Sequence, residues 1–288
     1  MIAPPTPSNF APGYLAAKRC WLLDGDGVLY QDGQPLPAAI ELIRLLRQHD
    51  RPLALLTNTS AKTPAQIAAD LSNMNIELRP EEIATSASAA VAATMPMHTA
   101  MVLGGDGILD ALSRAKVTIV KPEPSAVSAD IDAVFVGMDR QLTYQRLSAA
   151  VLAIQRGARF IATNADRGFP TRQGLLPGAG SIVAAISAVV GREPEFIAGK
   201  PGCGLFLDAL ARANTASADA IMIGDQLETD ILGAMRAGID TILVGTGIAG
   251  RCNDAEILHF QKLHGAPTHM ASDLIPILHR LDQDLRSP

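Results

Sequence analysis

Continuous apolar runs alternate along this chain with stretches whose apolar positions recur every three or four residues. Trp21, Leu22 and Leu23 end one such run, which passes at once into Asp24-Gly25-Asp26-Gly27. From Pro37 to Asp50, Ile40, Ile43 and Leu46 stand at helical spacing, which predicts an amphipathic helix. Leu53 to Leu56 is apolar again and ends in Thr57-Asn58-Thr59-Ser60. Thr63 and Pro64 then suit a helix cap and a first helical position. The opening therefore reads strand, helix, strand, helix, the order of a parallel α/β sheet.

Residues 80–95 read as a further helix, and Met101 to Leu103 begin a second series of strand and helix signals. A helix over 108–115, strands near 118–122 and 132–138, a helix over 143–157 and a strand at 158–164 follow one another, and this middle stretch reads as an α/β unit of its own. Turn residues cluster from Asp166 to Pro170. After a helix over 181–190, a strand runs into Gly199-Lys200-Pro201, with a helix over 203–214 behind it. A strong strand then ends at Gly224-Asp225 before a turn and a helix from Ile231. The last strong strand is Asp240 to Val244. From Asp254 the tail reads as mixed helix packed on the sheet.

In parallel sheets of this kind, active residues sit at the carboxyl ends of the strands. Four polar clusters do so here: Asp24 with Asp26, Thr57-Asn58-Thr59, Lys200, and Asp225 with Asp230. Two carboxylates two residues apart repel each other and lose hydration, so a cation or a phosphate-handling role would account for them. Three carboxylates suit a hard ion such as Mg²⁺, while a lysine and a hydroxyl suit a phosphoryl group. Gly245-Thr246-Gly247-Ile248-Ala249-Gly250 has the spacing of a dinucleotide loop but lacks the opening βαβ unit such a site requires.

Composition narrows the classes. With 48% hydrophobic and 18% charged residues the chain has ample core, and 288 residues suit one large domain or two modest ones. A net charge of −5 argues against a nucleic-acid partner but not against an anionic substrate. Cys20, Cys203 and Cys252 are scattered with no C-x-x-C spacing, which fits a reducing cytoplasm and neither a disulfide framework nor structural zinc. The Pro-rich start reads as a loose tail to about residue 17, without a signal-peptide pattern. The longest apolar stretch, near 181–191, is too short to span a membrane. The six histidines have no metal-ligand spacing and read as surface residues.

DGDGVLY, TNTS, GKP and GDQLETD, in that order, resemble the four motifs of the haloacid dehalogenase (HAD) superfamily. VGMDRQLTYQRL, ARFIATNAD, LLPGAGSIVAAI and GTGIAG are similar to its NagD-like, 4-nitrophenylphosphatase branch, and the likeness covers nearly everything after residue 18. One departure is Gln226, where the branch frequently has Asn. The resemblance implies a Rossmann-like α/β core with a parallel sheet, formed by residues 1–85 and 193–288, and a large inserted α/β cap at 86–192.

It also implies a Mg²⁺-dependent phosphatase of small phosphomonoesters. Asp24 would be the nucleophile that becomes an aspartyl phosphate, and Asp26 the acid and base. Mg²⁺ would be held by the Asp24 carboxylate, the Asp26 carbonyl and Asp225, with Asp230 orienting Lys200 or a metal-bound water. Thr57, the Asn58 and Thr59 backbone, and Lys200 would hold the phosphoryl oxygens. Asn164, Asp166 and Phe169 in the cap would meet the leaving group. The expected partner is a small phosphorylated metabolite, with no nucleic acid or membrane, and a homodimer stays open.

Taken singly, each residue has a plainer role: Lys200 as a turn lysine, Thr57 as a helix cap, Asp230 as a helix-start acid, Asn164 and Asp166 as turn formers, Phe169 as cap core. At the level of the chain, the alternative is a noncatalytic phosphometabolite-binding or regulatory protein on the same fold.

Overall fold

The computed structural model describes residues 10–127, 130–171 and 173–286. After a short helical turn at Tyr14–Ala17 come β1 (Cys20–Leu23), α1 (Ala39–Gln48), β2 (Leu53–Thr57), α2 (Pro64–Ser72), β3 (Ile83–Thr85) and α3 (Ser86–Thr94). Next come β4 (Thr99–Leu103), α4 (Asp106–Arg114), β5 (Thr118–Val120), β6 (Ala133–Val136), α5 (Tyr144–Gln155) and β7 (Arg159–Ala162). The hairpin β8 (Gly168–Thr171) and β9 (Gly174–Pro177), α6 (Ala179–Val190), β10 (Phe196–Ile197) and α7 (Gly204–Arg212) follow. The chain closes with β11 (Ala220–Gly224), α8 (Leu232–Arg236), β12 (Asp240–Val244), α9 (Asp254–His264), β13 (His269–Ala271) and α10 (Leu274–Arg286).

The described residues form two compact units. The first takes those up to Thr57, Ala68–Ala84 and those from Ala209; the second takes Asn58–Ile67 and Thr85–Asp208. The second unit is thus wider than the insertion expected at 86–192.

The sheet of the first unit has the order β13-β12-β11-β1-β2-β3. β1 runs parallel to both β11 and β2, and β12 runs parallel to both β11 and β13. Counted along the chain, this is the 3-2-1-4-5-6 order of a doubly wound fold, which reverses direction between β1 and β11. Strands covered on both faces must be apolar throughout, and every residue of β1 is fully buried. α1 packs on the sheet through Ala39, Leu42, Ile43, Leu45 and Leu46, one stripe of an amphipathic helix.

The second unit has its own parallel sheet, in the order β10-β7-β6-β4-β5. Its core gathers Met101, Val134, Val136 and Phe160 from the strands with Ile182 and Ile186 from α6.

Several expectations need correction. Residues 83–85 form an edge strand, not helix: Ile83, Ala84 and Thr85 are buried, and Thr85 is extended and accepts from Ser88 N at 3.1 Å as the N-cap of α3. The tail after Asp254 contributes β13 to the sheet edge. The tail before residue 17 is not loose from Phe10 onward. Phe10 and Leu15 are buried, Tyr14–Ala17 is a short helix, and Tyr14 donates to Asp240 Oδ2 at 2.6 Å. Residues 1–9 lie outside the described part. His269 is not a surface residue either: it is half-buried against the rings of Phe10 and Tyr14, and burial lowers its pKa. No helix among the described residues is long and apolar enough to cross a membrane.

Candidate active site

Because Leu23 of β1 pairs with Ile223 of β11, the two strands end together and release their next residues side by side. Asp24 follows β1 and donates its N–H to Ile223 O at 3.0 Å, while Asp225 follows β11. Both therefore stand at the carboxyl edge of the sheet where its strand order reverses, the place where open α/β sheets take ligands.

Asp24, Asp225 and Asp230 each bring a carboxylate oxygen within 4.8 Å of the others, and all three residues are buried. Two unit charges at that distance repel by roughly 3 kcal/mol even at an effective dielectric constant of about 20. Three buried carboxylates therefore call for positive charge among them. An all-oxygen donor set of this kind fits a hard divalent cation such as Mg²⁺.

Asp225 is held by the loop that carried the dinucleotide-like glycines. Its Oδ2 accepts from Ile248 N at 2.6 Å, and its carbonyl accepts from Ala249 N at 2.8 Å. Gly247 is glycine because an added Cβ would lie 1.9 Å from Asp225 Oδ2. Gly27, at φ +83°, approaches from the other side, where a Cβ would be 2.5 Å from the same oxygen. The Thr246 hydroxyl donates to Gly27 O and ties the two loops together.

Asp230 sits on a wide π-type turn, Leu227–Ile231, in which both Asp230 N and Ile231 N donate to Gln226 O. Such turns often mark functional sites. This one aims Asp230 back at the strand end, where its Oδ2 accepts from Gln226 N at 3.1 Å.

Asp26 stands outside the group of three and meets solvent. Packed neighbours nevertheless strip water from its carboxyl, and Asp32 adds a like charge. Its pKa is raised despite a hydrogen bond from the Gly27 backbone. Thr57, the last residue of β2, is half-buried beside β1 in the sheet.

Within the second unit, Asn58 is the centre of a hydrogen-bond network. Its Oδ1 accepts from Lys200 N at 2.7 Å and its Nδ2 donates to Lys200 O at 3.1 Å, so one side chain grips the backbone of Lys200 on both sides. Nδ2 also donates to Asp166 Oδ2 at 3.2 Å. The Asn58 carbonyl accepts from Asn164 Nδ2 at 2.7 Å and from the Ser86 hydroxyl at 2.6 Å. Asp166 N donates to Asn164 Oδ1 at 3.1 Å. Lys200 and Asn164 are buried, and Thr59 is half-buried next to Asn58. Phe169 is half-buried on β8, opposite Leu176 of β9.

The structure thus joins Asp24, Asp225 and Asp230 in one unit, and Asn58, Asn164, Asp166 and Lys200 in the other. Sequence reasoning missed Thr246, Gly247 and Ser86, and it missed the side-chain role of Asn58. The glycine spacing was visible and its nucleotide reading was set aside, but its contact with Asp225 appears only in the folded chain.

The chain is similar to known proteins in sequence and fold. Residues 21–118 match the haloacid dehalogenase-like hydrolase family, and residues 197–276 match the HAD-hydrolase-like family. The chain is 37% identical over 231 residues to an acid sugar phosphatase of Staphylococcus haemolyticus, covering 79% of this chain and 85% of that protein. It is 34% identical to an acid sugar phosphatase of Staphylococcus aureus, covering 92% and 98%. Among solved structures, the p-nitrophenyl phosphatase from Archaeoglobus fulgidus superposes with a TM-score of 0.80 at 26% identity, covering 91% of this chain and 98% of that one.

Proposed function

This chain belongs to the haloacid dehalogenase-like hydrolases, as a phosphoric monoester hydrolase of their NagD-like branch, and we propose that it is a Mg²⁺-dependent phosphatase working through an aspartyl phosphate on Asp24. One observation carries the reading: three buried carboxylates converge within 4.8 Å where the strand order of the sheet reverses. The acid sugar phosphatases among its relatives favour a sugar phosphate as the natural small ester.

In this reading an Asp24 carboxylate oxygen attacks phosphorus, and the bond from phosphorus to the leaving oxygen breaks. Asp26 gives its proton to that oxygen. It then takes a proton from the water that attacks the acyl phosphate, which frees phosphate and restores Asp24. The raised pKa of Asp26 supports the first role, since an acid must hold its proton until it is needed. Thr57, the backbone of Asn58 and Thr59, and Lys200 take the phosphoryl oxygens, and the Asn58 side chain fixes the Lys200 backbone. Asp24, the Asp26 carbonyl and Asp225 would hold Mg²⁺, with Asp230 orienting beside them. When bound, the ion neutralises charge on the transferred group.

We read 86–192 as the cap that selects the leaving group, with Asn164, Asp166 and Phe169 as its contacts, and the cytoplasm as its place of work. Chelation should abolish 4-nitrophenyl phosphate hydrolysis, and added Mg²⁺ should restore it. Full activity in chelator would contradict the metal requirement.

A further inference from the structure

The second unit has a reversal of strand order of its own. Counted along the chain from β4, its sheet order is 2-1-3-4-5, so the direction of winding reverses between β4 and β6. A doubly wound sheet opens a crevice outside the carboxyl ends of its strands at such a point, because the helices there leave to opposite faces. The crevice is present: a cavity of about 420 Å³ lies over the ends of β4, β5 and β6. That volume is within the range of small-molecule sites, about 300–1,000 Å³. None of the residues assigned above to catalysis, metal or phosphoryl binding lines it.

Its lining says what it would take. Lys62, Lys121, Arg140 and Arg146 face two carboxylates, Asp106 and Asp139, so the crevice is locally positive in a chain of net charge −5. Asp139 is already neutralised: it is buried and accepts from Arg146 Nε at 2.9 Å and Nη2 at 2.7 Å. Asp106 accepts from Gln66 Nε2 at 3.3 Å. The walls are apolar: Leu109 and Ile119 line the cavity and stay partly exposed, with Val102 and Met138 beside them.

We propose that this crevice is a second ligand site, built for an organic phosphate with an apolar, nucleoside-sized body. The body lies against Leu109 and Ile119, and the phosphate meets Lys121 and Arg140. The site is independent of the phosphatase reading, since it uses none of the same residues.

The probe is adenosine 5′-(α,β-methylene)diphosphate, which resists cleavage between its phosphorus atoms. It is titrated calorimetrically into the full chain in chelator, so that the acid cluster holds no cation to draw the phosphates there. One site per chain is expected, and Lys121→Ala with Arg140→Ala should weaken it at least tenfold. Both replacements are at exposed residues. The same double variant should hydrolyse 4-nitrophenyl phosphate with kcat/KM within about twofold of the parent, and Ile119→Asp should weaken nucleotide binding likewise. No binding, or binding untouched by these variants, would overturn the proposal. Methylenediphosphonate alone binding as tightly as the nucleotide would overturn the apolar-body assignment.

Discussion

At Gly247, one added methyl would lie 1.9 Å from Asp225 Oδ2, and the atom it meets belongs to a carboxylate that is itself buried. Asp225 cannot retreat freely, because Ile248 N and Ala249 N hold its side chain and its carbonyl. Gly247→Ala should therefore displace the carboxylate while leaving the sheet intact. Supporting groups around a metal typically change its affinity by about 10–100-fold. The Mg²⁺ concentration for half-maximal activity should rise by about that factor, with a melting temperature near the parent's. An unchanged Mg²⁺ response would detach Asp225 from the metal. Residue-scale reasoning from sequence reached Asp24, Asp225 and Lys200 because each ends an apolar run. It could not reach Gly247, whose role appears only when another loop is laid beside it. Nor could it see the Asn58 side chain, whose partners, Lys200 and Asp166, lie over 100 residues away in sequence.

Strands and helices were legible where burial imposes a long pattern. β1, β11, Leu53–Leu56 of β2 and Ile242–Val244 of β12 are continuous apolar runs because sheet neighbours and helices cover them. β3 and β13 have three residues each, too few to show a period. β8 and β9 form a two-stranded hairpin whose Leu175 and Leu176 are exposed, so no alternation of buried and exposed positions marked it. The short helix Tyr14–Ala17 was hidden by its Pro-rich surroundings and is tied down by distant charge. There the Asp240 carboxylate accepts from Tyr14 and from Lys18 Nζ, both at 2.6 Å. Burial alone would raise the Asp240 pKa, but these bonds outweigh it and hold it below the ordinary value.

A carboxyl depressed in the fold adds stability that is complete above its unfolded value, about pH 4, and is lost as pH falls through the folded value. Urea denaturation of the parent and of Asp240→Asn should therefore differ at pH 7 and converge below about pH 4. A gap that stays constant down to pH 3 would contradict this coupling.

For the whole molecule, the acid cluster lies in the first unit, and Lys200 lies with Asn58, Asn164 and Asp166 in the second. The four ordered motifs made this division partly legible, but the second unit's bounds were not, because 58–67 and 193–208 join it through contacts distant in sequence. If the second unit selects substrates, Phe169→Ala should shift relative kcat/KM across a panel of phosphomonoesters by about tenfold, the scale of one apolar pocket contact. It should leave the Mg²⁺ requirement alone. A uniform loss with a lowered melting temperature would make Phe169 a packing residue instead.

The central claim, nucleophilic attack by Asp24 within a cation-binding acid cluster, is tested most directly by one paired measurement. Release of 4-nitrophenol is followed against Mg²⁺ concentration for the parent and for Asp24→Asn, with both melting temperatures recorded. The parent should show saturable Mg²⁺-dependent turnover, and the variant should fall by about 10³-fold or more at every Mg²⁺ concentration with its fold intact. Near-parental turnover in well-folded Asp24→Asn would contradict the claim.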